Sequence, residues 1–343
     1  MIIDVHTRIW DSLDQLGSAA DRLRQRRSEP WDRPAASADA HELAIAPVTA
    51  AFVLGFKSKL IGAEIPNQRI AEYVQRAPDR LVGFAGIDPM EPRPVYELET
   101  AIDMGLRGVV LKPAAQGFHP ADSRAMPLYE ACEARNVPVM FDTSTAMARD
   151  ARMEFGQPAL LDEVARSFPN LKILLGSLGY PWVDQGLTLV GKHPTVFAEV
   201  GELILQPWPL YNALLLAHQQ GVMNQLFFGS HFPFCQPEKA IVTMYSVNTF
   251  TQGTHLPSIP REQLRSIVER DALTSLGLTL APMAEDRQIE TDKQSQALLD
   301  KAEARAADVD PAADLTPDTA PADDAGDSKA EPAQQPVAED ASK

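Results

Sequence analysis

Cysteine is nearly missing from this chain. Cys132 and Cys235 are the only two in 343 residues, too few for a disulfide framework or a cysteine-built metal cluster, and both read as buried or half-buried free thiols. Long apolar runs are missing as well. None approaches the roughly 18 residues that a helix needs to cross a bilayer. The first residues run straight into a strand pattern, with no basic segment followed by an apolar one. A cytoplasmic protein with no membrane partner is the expectation. Positive charge is in short supply too: 31 Lys and Arg stand against 47 Asp and Glu, for a net charge of −16. Nucleic-acid binding needs a basic face, so no nucleic-acid partner is expected. From residue 284 to 343 acidic residues outnumber basic ones by about ten, which leaves the rest only mildly acidic.

What is present is an alternation. Short, almost continuously apolar runs at 2–5, 51–56, 81–87, 108–111, 138–141, 172–175, 196–200 and 226–228 have the character of strands buried on both faces. Stretches with apolar residues at three- and four-residue spacing lie between most of them, for example 68–76, 94–104, 125–135, 158–167 and 209–219. Eight strands joined by helical crossovers predict a closed parallel (β/α)8 barrel, a TIM barrel. A doubly wound open sheet is the alternative, but no Gly-rich phosphate loop follows the first strand.

The barrel is expected to span residues 1–282. Within it, 11–47 is a long insertion carrying Trp31 and the basic run Arg22, Arg24, Arg26 and Arg27. It reads as a solvated helical face beside a loop, with a lid over the strand ends as the functional alternative. From 283 to 343 the composition turns to Ala, Asp, Glu, Pro, Gln and Ser, interrupted by Pro311, Pro317, Pro321, Pro332 and Pro336. So little apolar surface cannot offset the entropy of ordering a chain, and a disordered acidic tail is predicted.

In a TIM barrel, side chains at the C-terminal ends of the strands meet at one site. Those positions hold His6 and Arg8 after strand one, Lys112 after strand four and Asp142 after strand five. Ser177 follows strand six, Glu199 and Glu202 surround the end of strand seven, and His231 follows strand eight. Five further histidines, His41, His119, His193, His218 and His255, read as surface or loop-packing residues. Tyr180-Pro181-Trp182 reads as packing over the pocket.

Several segments resemble the amidohydrolase-related family (amidohydrolase family 2), which includes aminocarboxymuconate-semialdehyde decarboxylase-like enzymes. They are Ile3-Asp4-Val5-His6, Gly105-Leu106-Arg107-Gly108-Val109, Pro127-Leu128-Tyr129-Glu130, Phe168-Pro169-Asn170-Leu171-Lys172-Ile173, Leu178-Gly179-Tyr180-Pro181-Trp182, Phe228-Gly229-Ser230-His231-Phe232-Pro233 and a helix over 267–278. The resemblance implies a TIM barrel holding one divalent metal, zinc or manganese, that serves hydrolysis or nonoxidative decarboxylation. It also suggests a homodimer. The family supplies His-x-His on strand one, a histidine each on strands five and six, and an aspartate on strand eight. Of these only His6 is kept. Arg8, Asp142, Ser177 and His231 occupy the other four positions.

Guanidinium has donors and no acceptor, so Arg8 cannot ligate a metal. At about 4 Å and an effective dielectric near 20, its charge would repel a dication by roughly 8 kcal/mol, against about 10–16 kcal/mol for a complete structural zinc site. The expectation is therefore a divergent member with no bound metal or other cofactor. His6, Asp142 and His231 are its candidate catalytic residues, and Arg8, Lys112 and Ser177 would bind a small carboxylate anion. Arg8 would pair with Asp142, and Lys112 with Glu199 or Glu202. Such a protein could turn its ligand over or only bind it, as a pseudoenzyme does. The alternative is an active hydrolase or decarboxylase with zinc or manganese on His6, Asp142 and His231, a set of 2-His-1-carboxylate type.

Overall fold

A computed structural model of the chain describes residues 1–21, 36–143, 148–283 and 285–308. Eight parallel strands form one sheet in the order β1 (Ile3–Thr7), β2 (Ala50–Leu54), β5 (Leu81–Gly86), β6 (Gly108–Leu111), β7 (Val139–Phe141), β8 (Ile173–Leu175), β9 (Val196–Glu199) and β10 (Leu226–Phe227). These are the eight runs expected from the sequence. The sheet closes on itself just past the last strand. Val5 N–H donates to Phe228 O at 3.0 Å, Arg8 N–H donates to Phe232 O at 3.0 Å, and Thr7 bridges Phe232. The fold is a TIM barrel.

Apolar residues fill two shells. Ile3, Val5, Phe52, Leu54, Phe84, Val110, Met140, Leu174 and Phe227 pack inside the barrel, joined from below by Ala272, Leu273, Leu276 and Leu278. A larger cluster lies between the strands and the helices outside them. The register of β1 against β2 slips between Asp4 and Thr7. A strand with strict alternation could not aim both Val5 and His6 inward; an irregularity of this kind re-aims a side chain. Asp4 satisfies the backbone there, since its Oδ1 accepts from His6 N–H at 3.2 Å and Ser230 N–H at 2.9 Å.

The structure departs from the sequence reading in three places. A two-stranded antiparallel hairpin, β3 (Phe56–Ser58) with β4 (Ala63–Ile65), follows β2, where a single run to Phe56 is read from hydropathy. The described ends of the insertion pack on the barrel, with Trp10, Leu16, Ala20, Ala36 and Ala38 buried; the basic run and Trp31 lie outside the described residues. Third, Glu285–Asp308 form a helix, although the composition predicts disorder from 283. Its buried positions are Thr291, Ser295, Leu298, Leu299 and Ala302, mostly at three- and four-residue spacing. It packs along the helix Pro237–Ser246, with Ser295 Oγ donating to Pro47 O at 2.9 Å. The first proline of the tail comes only at 311, so nothing interrupts the helix. The acidic stretch beyond it lies outside the described residues.

Candidate functional site

The strand ends bring the ionisable groups into one buried row. His6, near the end of β1, faces Glu199, the last residue of β9, with Nδ1 2.9 Å from Oε1 and neither side chain exposed. On the other edge of the same ring, Nε2 lies 3.0 Å from an Arg8 terminal nitrogen. The other terminal nitrogen of Arg8 donates to Asp142 Oδ2, and Lys112 Nζ reaches that same oxygen at 2.7 Å. Glu199, His6, Arg8, Asp142 and Lys112 thus form a continuous chain across the barrel mouth.

The chemistry of each partner fixes the protons. A guanidinium nitrogen only donates, so His6 Nε2 accepts from Arg8. The ring proton then sits on Nδ1 and is donated to Glu199. Glu199 is held from two further sides, by Ser177 N–H at 2.5 Å to Oε1 and by Gly201 N–H to Oε2. Two glycines allow this approach. A Cβ on Gly201 would lie 2.6 Å from Glu199 Oε2, and one on Gly229 would lie 2.5 Å from the same atom. Ser177 carries φ 49° and Leu178 φ 53°, in the left-handed region that non-glycine residues seldom adopt. That turn is what aims the Ser177 N–H at the carboxylate.

Asp142 serves two cations with one carboxylate. Burial alone would raise its pKa, but the charges of Lys112 and Arg8 outweigh burial and hold it well below the usual carboxyl range. Lys112 is pushed down, first by burial and then by the charge of Arg8, against the pull of Asp142. Of the two cations, Lys112 is the less favoured. Glu202 acts on it as well, while Glu199 is taken up by His6, so the principal counter-ion of Lys112 is Asp142 rather than either glutamate. Its ammonium also lies 5.0 Å from the centre of the Phe56 ring, within cation–π range.

His231 stands beside this chain. Its ring meets His6 edge-on at 4.7 Å between centroids and stacks on Phe234 at 5.1 Å. Its φ is 63°, again left-handed, so the backbone spends conformational energy to present this side chain. Burial, followed by the charges on His6 and Arg8, lowers its pKa well below the usual value, which keeps the imidazole neutral. Nδ1 of His231 and Nε of Arg8 are buried nitrogens without a hydrogen-bond partner among the described residues. Such atoms are rare in native proteins, and a bound group is one explanation.

Ser177 stands slightly apart: its Oγ accepts from Glu202 N–H at 3.0 Å, which ties the turns after β8 and β9 together. Two buried groups escaped the sequence reading. Asp4 is fully buried, and desolvation raises its pKa to about 6. His41, read as a surface or loop-packing residue, is also fully buried. It sits 2.8 Å from Tyr73 Oη and 2.8 Å from Thr7 Oγ1, pinning the insertion to the strand segment between His6 and Arg8. A hydrophobic position three residues before it, Ala38, offers too weak a periodicity to reveal this.

The amidohydrolase family model matches residues 3–269 of the chain. No curated protein sequence matches it. Among solved structures, an uncharacterised TIM-barrel protein from Bordetella bronchiseptica is similar at 21% identity and TM-score 0.63, over 80% of this chain and 99% of that one. A zinc-bound amidohydrolase from Burkholderia multivorans is similar at 12% identity and TM-score 0.58, over 81% and 100%. The 5-carboxyvanillate decarboxylase of Sphingomonas paucimobilis is similar at 15% identity and TM-score 0.54, over 81% and 99%.

Proposed function

This chain belongs to the amidohydrolase family, and on that premise we propose that its barrel binds a small carboxylate with no divalent metal, Arg8 taking the metal's place. The observation that carries this reading is the double contact of the Arg8 guanidinium. It uses the Nε2 lone pair of His6 and the Oδ2 of Asp142, which are the groups a cation at this position would need. These residues do not fit a dication: repulsion of roughly 8 kcal/mol at about 4 Å is of the same order as the whole affinity of a good site.

An incoming carboxylate suits the same groups. Arg8 and Lys112 meet at the Asp142 carboxylate, and Nε of Arg8 has no acceptor among the described residues. A guanidinium and an ammonium side by side make a two-point receptor for a carboxylate group. Where the bound acid is also turned over, His231 is the acid–base group of choice. It is neutral and its Nδ1 is unengaged, whereas the His6 lone pair is covered by Arg8 and the Asp142 carboxylate is pinned by two cations. The competing reading, zinc or manganese on His6, Asp142 and His231, draws on that unengaged Nδ1 and on the zinc-bound relative. It requires Arg8 to leave its place.

Two measurements test the proposal. Elemental analysis of protein grown with zinc and manganese and purified without chelators should find far less than one metal per chain; near-stoichiometric metal overturns the reading. In thermal shift assays with a panel of aromatic and aliphatic carboxylates, a ligand at about 100 times its Kd adds about 2.7 kcal/mol. That raises the melting temperature by roughly 5–10 °C, and Arg8→Met should abolish the shift. Turnover tests on the ligands so found then separate an enzyme from a binding protein, and His231→Ala should remove any turnover.

A further inference from the structure

We infer that Glu199 is the positioning residue of this site: it fixes the ring proton of His6 on Nδ1, and so decides that Nε2 presents a lone pair to Arg8. The inference does not depend on what the site binds.

Three observations carry it. Glu199 reaches His6 at 2.9 Å with neither side chain exposed, so its carboxylate is the acceptor that faces the imidazole Nδ1. Its own orientation is not adjustable. Backbone N–H groups from the turns after β8 and β9, those of Ser177 and Gly201, hold both oxygens, and Oε2 fills the space that a Cβ on Gly201 or Gly229 would need. A carboxylate can only accept, and with this fixed acceptor on its Nδ1 side the imidazole must donate there. The opposite tautomer would set lone pair against lone pair on the Glu199 side and N–H against N–H on the Arg8 side. The contact to Arg8 is consistent with the Nδ1–H form, but Arg8 is a long side chain anchored beyond His6 only by other side chains, whereas backbone N–H groups anchor both oxygens of Glu199.

The consequence reaches further along the row. With Nε2 accepting, one terminal nitrogen of Arg8 is occupied by His6 and the other by Asp142, which orients the guanidinium plane. A residue on β9, with no direct contact to Arg8, thus sets where the site's cation points.

The test is a long-range 1H–15N correlation spectrum of the full-length protein with 15N-labelled histidine, with and without chelator treatment, His6 being assigned by its loss in His6→Gln. The expected pattern for His6 is a protonated, pyrrole-type Nδ1 and an unprotonated Nε2. Arg8→Met should keep that pattern. Glu199→Leu should lose it, with the two nitrogens averaging or exchanging roles. Protonated Nε2 on His6 in the wild type overturns the inference. Loss of the pattern in Arg8→Met but not in Glu199→Leu overturns it as well. Metal found in the untreated protein together with Nδ1–H on His6 after chelation would sink the metal-free reading and leave this inference standing.

Discussion

Replacing Asp142 with asparagine removes one charge and almost no volume, and the structure says what should follow. Asp142 is buried, and so are Arg8 and most of Lys112, with side-chain exposures of 0%, 7% and 16%. In Asp142→Asn the amide oxygen can still accept from both Arg8 and Lys112, but it carries no charge, and two cations are left beside each other with no carboxylate between them. Removing one partner of a buried pair costs about 3–5 kcal/mol, whereas loss of an exposed pair costs about 0–1 kcal/mol. For a domain of this size about 3–5 kcal/mol corresponds to a fall of roughly 6–20 °C in melting temperature. Urea unfolding followed by circular dichroism and tryptophan fluorescence would measure it. The same reasoning fixes a sign for the double variant. Lys112→Met in the Asp142→Asn background removes a stranded ammonium, so it should restore part of the loss, while Lys112→Met alone should be neutral to destabilising. The coupling between the two changes should fall in the range of about 0.5–3 kcal/mol seen for contacting residues. If Asp142→Asn unfolds within about 0.5 kcal/mol of wild type, the level of an ordinary surface substitution, the row is not the buried ionic unit described above. If Lys112→Met destabilises the Asp142→Asn protein further, Lys112 is held by something other than Asp142.

His41 supplies a pH dependence. Burial, with the charge of Arg80, lowers its pKa from 6.5 to about 3, so between those values the unfolded chain binds a proton that the folded protein refuses. Its contribution is complete above about pH 6.5 and is lost as pH falls toward 3, by roughly 4–5 kcal/mol at about 1.4 kcal/mol per pH interval of one. His41→Gln should flatten the melting-temperature profile across that window; an unchanged profile would show that His41 is not the titrating group. Gly201→Ala would set a Cβ 2.6 Å from Glu199 Oε2 and 2.9 Å from His6 Nδ1. A loss of about 1–3 kcal/mol for overpacking, together with a shifted His6 ring signal, is expected, and a fully wild-type melt would contradict it. Leu298→Asp should free the C-terminal helix, so that limited proteolysis cuts within 285–308 in the variant and spares that segment in the wild type. Equal cleavage of both would refute the packing of this helix.

The barrel was legible because each of its strands is buried on both faces, and a run such as Gly108–Leu111 is apolar at every position. The strand-end rule then picked out ionisable residues that the fold gathers at one end of the barrel, since the C-terminal end of a parallel strand is fixed by where its apolar run stops. Partnership was less legible. Glu199 and Lys112 are both strand-end charges, but only the curvature of the closed sheet shows that one faces His6 and the other Asp142. His41 was misread because a buried imidazole satisfied by a tyrosine and a threonine looks, in sequence, like any helix-surface histidine. The helix at 285–308 was missed because two of the positions it buries, Thr291 and Ser295, register as polar in any hydropathy count. Their burial depends on the neighbours that the barrel provides.

The apolar plug formed by Ala272, Leu273, Leu276 and Leu278 against Ile3, Val5 and Phe52 makes the barrel a cup rather than a tube. Whatever arrives at Arg8 and Lys112 must enter and depart through the rim built from the loops that follow the strands. Among the described residues after β1, His41 ties the connection to β2 back to the strand end, its ring 2.8 Å from Thr7 Oγ1.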